Sequence, residues 1–367
     1  MRTFALPLAA YLLAALPTHA ARPQIQVALL LDTSGSMDGL IDQAKSQLWT
    51  FVNHFAPLKR SGQSPELNVA LYEYGKSSIP ASEGYLRQIV PFTTDLDRVS
   101  EQLFALRTNG GDEYCGAVIR NAVQNLAWSP STQDLKVVFI AGNEPFTQGA
   151  VDFRQSCAQA RAKDITVNTI FCGSYQEGTD THWAEGARLG GGSYMAIDQN
   201  QAVVHIPAPQ DAEIARLGAE LNRTYIPIGE KGKEAKVNQE VQDANAASLG
   251  MGSSNQRAVA KASTFYRAES WDLVDAEKAG TRKLESVDTK DLPKEMQAMK
   301  PAEARAYVDA KAKERRQLQS RIQKLSAERE TFVAAKRLEL AGSTKTLDAA
   351  MVQALAALAK AKGFAAN

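Results

Sequence analysis

Along the first two-thirds of the chain, apolar and polar positions alternate in a way that predicts strands and helices taking turns. The run Val27-Ala28-Leu29-Leu30-Leu31 is apolar on both faces, which suits a central parallel strand covered by helices. Leu40 to Phe55 then carries Ile41, Ala44, Leu48, Phe51, Val52 and Phe55 at helical spacing on one face. After the breaking stretch Lys59 to Pro65, Leu67 to Tyr74 alternates as a strand. Tyr85 to Phe92 predicts the next strand, with Pro91 marking its end or a sheet edge. Consecutive strands with no helix between them predict one antiparallel neighbour in an otherwise parallel sheet. Thr94-Asp95 opens a helix over Leu96 to Leu106, and further helices are expected over Tyr114 to Leu126, Val151 to Ala162 and His182 to Leu189. Strands fall between them at Leu135 to Ile140, Ile165 to Cys172 and Ser193 to Ile197. Pro207 to Leu221, with Ile214, Leu217 and Leu221 on one face, predicts a closing helix, and the unit ends near Gly229. The fold class read from this pattern is α/β: a doubly wound, mostly parallel sheet with one antiparallel edge strand, followed by a mainly α-helical C-terminal region.

Beyond Glu230 the chain becomes polar and rich in Ala, Gln, Lys and Glu. Residues 230–300 read as a linker and helical segment, broken flexibly around Leu249 to Ser254. The aromatic cluster Phe265, Tyr266 and Trp271 is expected to dock on the sheet domain or on a neighbouring helix. Residues 301–340 predict one long charged helix, in which Leu318, Ile322, Leu325, Arg329 and Phe332 follow four-three spacing, a short coiled-coil seam that could pair within the chain or between chains. Residues 341–367 read as a weak terminal helix and tail.

Three features of composition change this picture. Arg2, the apolar segment Phe4 to Leu16 and the small residues before Ala21 predict a secretory signal peptide over residues 1–20, so the protein is expected in the periplasm or secreted, with no membrane span after processing. A formal net charge of +1 and 7% aromatic residues give no reason to expect nucleic acid. Cys115, Cys157 and Cys172 allow one disulfide in an oxidising compartment; Cys157 with Cys172 is the favoured pairing and the other two stay open.

The candidate chemistry sits where the first strand stops. Asp32, Ser34 and Ser36 at alternate positions can turn oxygens towards one point, which suits a small hard cation such as Mg²⁺, and ligands of open α/β sheets lie beyond the carboxyl ends of the strands. The competing reading is that Asp32 and the serines merely cap the next helix. No second Asp-Thr-Gly-like copy supports an aspartic protease, and Gly190-Gly191-Gly192 precedes a strand and lacks a P-loop lysine. Trp183 is expected in the core, with His182 at a helix start.

Asp32-x-Ser34-x-Ser36, after an apolar strand and before an amphipathic helix, resembles the first loop of the metal-ion-dependent adhesion site of von Willebrand factor A domains. The resemblance covers about residues 26–229. It implies a second-loop ligand after Gly110-Gly111, where this chain has Asp112 with Glu113 beside it. Both acids could instead serve the positive end of the following helix. In the third loop, Gly142 stands where the family pattern places an aspartate, so the carboxylate is read as relocated to Asp112, with Glu113, Asn143 and Glu144 as further candidate ligands. The resemblance thus implies a divalent ion, Mg²⁺ or else Mn²⁺ or Ca²⁺, held by Asp32, Ser34, Ser36 and Asp112. It also implies a non-enzymatic adhesion or scaffold module whose protein partner offers an acidic side chain, attracted more weakly than at a standard site. The alternatives are a metal-free scaffold acting through its helical tail, a candidate for self-association, or less favourably a metal-dependent hydrolase.

Overall fold

The computed structural model describes residues 22–201, 205–340 and 347–366; the predicted signal peptide lies outside them. The chain begins with β1 (Gln24–Asp32), α1 (Asp38–Phe55), β2 (Leu58–Lys59), β3 (Glu66–Tyr74), β4 (Leu86–Thr93), α2 (Leu96–Ala105) and α3 (Cys115–Asn125). It continues through β5 (Leu135–Gly142), α4 (Phe153–Ala162), β6 (Thr166–Cys172), α5 (Tyr175–Asp180), α6 (Trp183–Leu189) and β7 (Gly191–Ile197). These strands, β2 apart, form one sheet in the order β4-β3-β1-β5-β6-β7. Its pairs are parallel except β3 with β4. The expected fold class is therefore the observed one, and Pro91 lies exposed on the edge strand, where a missing N–H costs no ladder bond.

Alternation along β1 explains the two layers. Ile25, Val27, Leu29 and Leu31 face a core built with α1 and α2, while Ala28 and Leu30 face the opposite core under α3 and α4. Asp95 caps α2 by accepting hydrogen bonds from the N–H groups of Asp97 and Arg98. The chain leaves β1 for β3 on one side and returns to β5 on the other, so the strand order reverses beside β1 and opens a crevice at the carboxyl ends of β1 and β5.

The second half departs from the expected plan. It comprises α7 (Asp211–Asn222), α8 (Gly229–Ser248), α9 (Met251–Ala262), α10 (Leu273–Ala279), α11 (Lys294–Gln297), α12 (Pro301–Leu340), α13 (Leu347–Ala361) and β8 (Ala365–Ala366), which pairs with β2. The predicted closing helix, α7, does not cover the sheet: Ile214, Leu217 and Leu221 pack with Ala258 and Ala262 of α9 and Ile322 of α12. The sheet is closed instead by α13, whose Leu347, Met351, Ala354, Leu355 and Ala359 join the core of β1 and α1. The boundary at Gly229 is corrected accordingly, because the helical block of residues 205–340 lies in sequence between the last strand of the main sheet and the helix that seals it. Periodicity identified both helices as amphipathic, but it does not say which surface an apolar stripe will meet.

The helical block is tied to the sheet domain by buried charge. Arg257 pairs with Asp97 of α2 at 2.5 Å and with Asp243 at 2.7 Å, and its guanidinium lies 4.4 Å over the Trp49 ring. Tyr266 donates to Asp97 at 2.5 Å, Phe265 enters the sheet-domain core, and Trp271 stacks on Tyr225, so the aromatic cluster docks on both neighbours. The seam of α12 is used within the chain: Leu318, Ile322 and Leu325 pack on α7 and α9, and Arg329 pairs with Asp211 at 2.6 Å. The break after α8 shrinks to Leu249 and Gly250. The favoured disulfide is absent: all three cysteines are free and buried, with Cys157 on the inner side of α4 in one core and Cys172 in the core on the opposite face of the sheet. A spacing argument misses this because side chains on a strand alternate faces.

Candidate metal centre

The first loop is built by short backbone contacts at the end of β1. Asp32, 0% exposed, accepts from the Ser34 N–H at 2.7 Å through Oδ1, and Met37 N–H closes the turn onto Ser34 O at 3.1 Å. Ser34 is buried, Ser36 is exposed, and their hydroxyl oxygens lie 3.4 Å apart. Thr33 locks the loop to the neighbouring strand, donating its N–H to Tyr74 O at 2.8 Å.

The second loop packs directly on the first, with Asn109 N–H donating to Thr33 O at 2.9 Å and Ser77 N–H to Gly110 O at 2.6 Å. It brings Glu113, not Asp112, to Asp32. Gly75 holds φ at +80°, and a Cβ placed there would lie 2.6 Å from Asp32 Oδ1 and 2.7 Å from Glu113 Cγ, so the two acids sit side by side over a backbone that only glycine supplies comfortably. Glu113 is 5% exposed. Asp112 is exposed and accepts from the Tyr114 hydroxyl at 3.1 Å. Its assignment as the second-loop ligand is thus corrected: adjacent residues before a helix point in different directions, and here the later one turns inward.

In the third loop, a Cβ on Gly142 would meet the Tyr74 hydroxyl at 2.5 Å and Asp32 Oδ2 at 3.0 Å. No aspartate fits there, because Tyr74 fills the space and donates to Ala141 O at 2.9 Å. Asn143 donates through Nδ2 to Ser36 Oγ at 3.2 Å. Glu144 is half-buried, and Gln148 bridges the loops: its Nε2 donates to Glu144 at 3.3 Å and its Oε1 accepts from Glu113 N–H at 3.0 Å. Neither Tyr74 nor Gln148 carried a sequence signal beyond its place near a strand end. Trp183 is buried in the core as expected, and His182 is bound to Glu185 at 2.9 Å.

Three oxygens in this crevice are buried and have no hydrogen-bond donor: Asp32 Oδ2, Glu113 Oε2 and Asn143 Oδ1. Such atoms are rare in folded proteins and ask for a partner. Burial, opposed by the Ser34 hydrogen bonds and reinforced by Glu144, pushes the Asp32 carboxyl up to about 7. Burial and then the charge of Asp32 push Glu113 up to about 8. A hard cation fits this donor set, since it would pair the orphaned oxygens and relieve the crowding of two carboxylates. Among the described residues no three His, Cys, Asp or Glu side chains converge closely enough to hold an ion by themselves. Serine hydroxyls, the Asn143 amide and water would therefore complete its shell.

Residues 26–185 match the family model of the von Willebrand factor type A domain. A comparison with curated proteins finds no match. Among solved structures, proximal thread matrix protein 1 from the mussel byssus aligns at 13% identity and a TM-score of 0.33 over 42% of this chain and 37% of that one. The SpRpn10 VWA domain aligns at 13% identity and a TM-score of 0.36 over 50% of this chain and 100% of that one. The pilus adhesin SpaC from Lactobacillus rhamnosus GG aligns at 13% identity and a TM-score of 0.35 over 48% of this chain and 28% of that one.

Proposed function

Because residues 26–185 form a von Willebrand factor type A domain, a family often used in protein–protein interaction or adhesion, we propose that this chain is an exported binding module that holds a protein partner with the help of a divalent cation. The single observation that carries the metal reading is the set of unpartnered buried oxygens contributed by three separate loops, Asp32 Oδ2, Glu113 Oε2 and Asn143 Oδ1. Asp32, Ser34, Ser36, Glu113 and Asn143 would hold the ion, with Mg²⁺ the hard cation of choice and Mn²⁺ or Ca²⁺ as substitutes. Bound there, the ion would offer an open coordination position to an oxygen of the partner. The chain's own contribution is to bury and orient these donors: Asp32 through the Ser34 N–H, Asn143 through Ser36, and Glu113 through Gln148.

Calorimetric titration of Mg²⁺, Mn²⁺ and Ca²⁺ into the full chain and its Asp32→Ala variant tests this. Heat that disappears with the substitution supports the reading, and heat that is absent or unchanged defeats it. In that case the second reading, a metal-free scaffold, takes its place. It is favoured by Gly142, which no aspartate can replace beside Tyr74.

A further inference from the structure

The charge around this crevice bears on the partner's chemistry. Asp32 and Glu113 lie side by side, the charge of Glu144 acts on both, and that of Asp112 acts on Glu113. Lys76, next to Gly75, and Arg107, just before the second loop, are engaged with other groups. Lys76 and Arg87 both pair with Glu73, and the Arg107 guanidinium donates to the carbonyls of Phe104 and Leu106 at 2.9 and 2.8 Å. The two charges of a divalent ion are matched by Asp32 and Glu113 alone, so Asp112 and Glu144, whose charges act on Glu113, keep the rim negative. A carboxylate arriving from a partner would then meet Asp112 and Glu144 as like charges, whereas an ammonium or guanidinium would meet them as hydrogen-bond acceptors.

The exposure of these groups agrees with that. Asp112 is exposed and its one described hydrogen bond comes from the Tyr114 hydroxyl. Tyr175, 62% exposed at the start of α5, stands after the strand next to β5, at the same end of the sheet. An aromatic ring there offers a face over which the stem and head of a lysine or arginine pack.

Resting on the reading that a divalent cation binds in this crevice, we infer that the partner is a polypeptide segment bearing lysine or arginine, which docks on the acidic rim formed by Asp112 and Glu144 while a neutral oxygen, not a carboxylate, reaches the ion. This replaces the acidic partner that the family resemblance implies.

The test uses the full chain at physiological salt and fluorescent tetralysine and tetraglutamate peptides, with anisotropy read in Mn²⁺ and in chelator. Mn²⁺ binding is measured separately by calorimetry. Only ion-dependent binding is decisive, because the exposed stripe Lys313, Arg316 and Lys324 on α12 can take tetraglutamate without an ion. Tetralysine is expected to bind in Mn²⁺ roughly tenfold or more tightly than tetraglutamate does at the ion-dependent site. The double variant Asp112→Asn/Glu144→Gln is expected to lose most of that binding while costing far less Mn²⁺ affinity than Asp32→Ala. Ion-dependent preference for tetraglutamate, or tetralysine binding untouched by the double variant or by chelator, overturns the inference and leaves the metal reading standing. Absence of Mn²⁺ heat overturns both.

Discussion

Gly142 and Glu113 decide the chemistry of the loop edge, and each supports a measurement. Gly142→Asp would force a carboxylate against the Tyr74 hydroxyl and Asp32. It is expected to cost about 2 kcal/mol or more of stability through overpacking and buried like charge, without improving metal affinity; urea unfolding and calorimetry check both halves. Glu113→Gln is expected to weaken Mg²⁺ roughly tenfold or more by removing a direct donor, whereas Asp112→Asn should change it little; the reverse ranking would restore the original assignment. The raised carboxyls also set a pH dependence. In the metal-free protein the folded chain keeps protons on Asp32 and Glu113 that the unfolded chain has released, so these groups subtract stability as pH rises from about 4 to about 8. Added Mg²⁺, which favours the ionised forms, should offset that loss increasingly over the same window, and unfolding midpoints with and without chelator should diverge towards high pH. The first loop was legible in the sequence because its oxygens are contiguous with the strand that delivers them. The choice between Asp112 and Glu113 was not, because it depends on which side chain the turn over Gly75 admits.

At the scale of elements, periodicity placed nearly every strand and helix of the sheet, and the Asp95 cap was visible as a sequence signal. What pattern could not show is partnership. Helix α7 and helix α13 both carry apolar stripes, yet the former meets other helices and the latter meets the sheet. The short helix α5 carried too few apolar positions to be seen at all. The contact between α2 and α9 is likewise invisible until folded, since Asp97 and Arg257 are far apart in sequence and each reads as a surface charge. Arg257→Met should cost on the order of 3–5 kcal/mol, because it leaves Asp97 buried without its cation. The double variant Asp97→Asn/Arg257→Met should recover part of that loss in thermal unfolding. Asp243, held down at about 2 chiefly by Lys261 and Arg257 against its burial, contributes stability that is present above about pH 4 and lost as pH falls through about 2.

For the whole molecule, the decisive fact is that residues from the far C-terminus complete the first core. A fragment of residues 24–229, the unit that the sequence pattern suggests, lacks Leu347, Met351 and Leu355 and leaves uncovered the part of the sheet face that α13 seals beside α1. It is expected to bind a hydrophobic dye and to unfold non-cooperatively, while the full chain melts in a single transition; a cooperative, dye-free fragment would contradict this. The same arrangement constrains the order of events at the ribosome. The helix that seals the sheet emerges after the whole helical block, so β1 to β7 must wait, unsealed, through the synthesis of that block. A folding pathway of this kind is slow to commit, and it keeps the nascent sheet loose until α13 has been made.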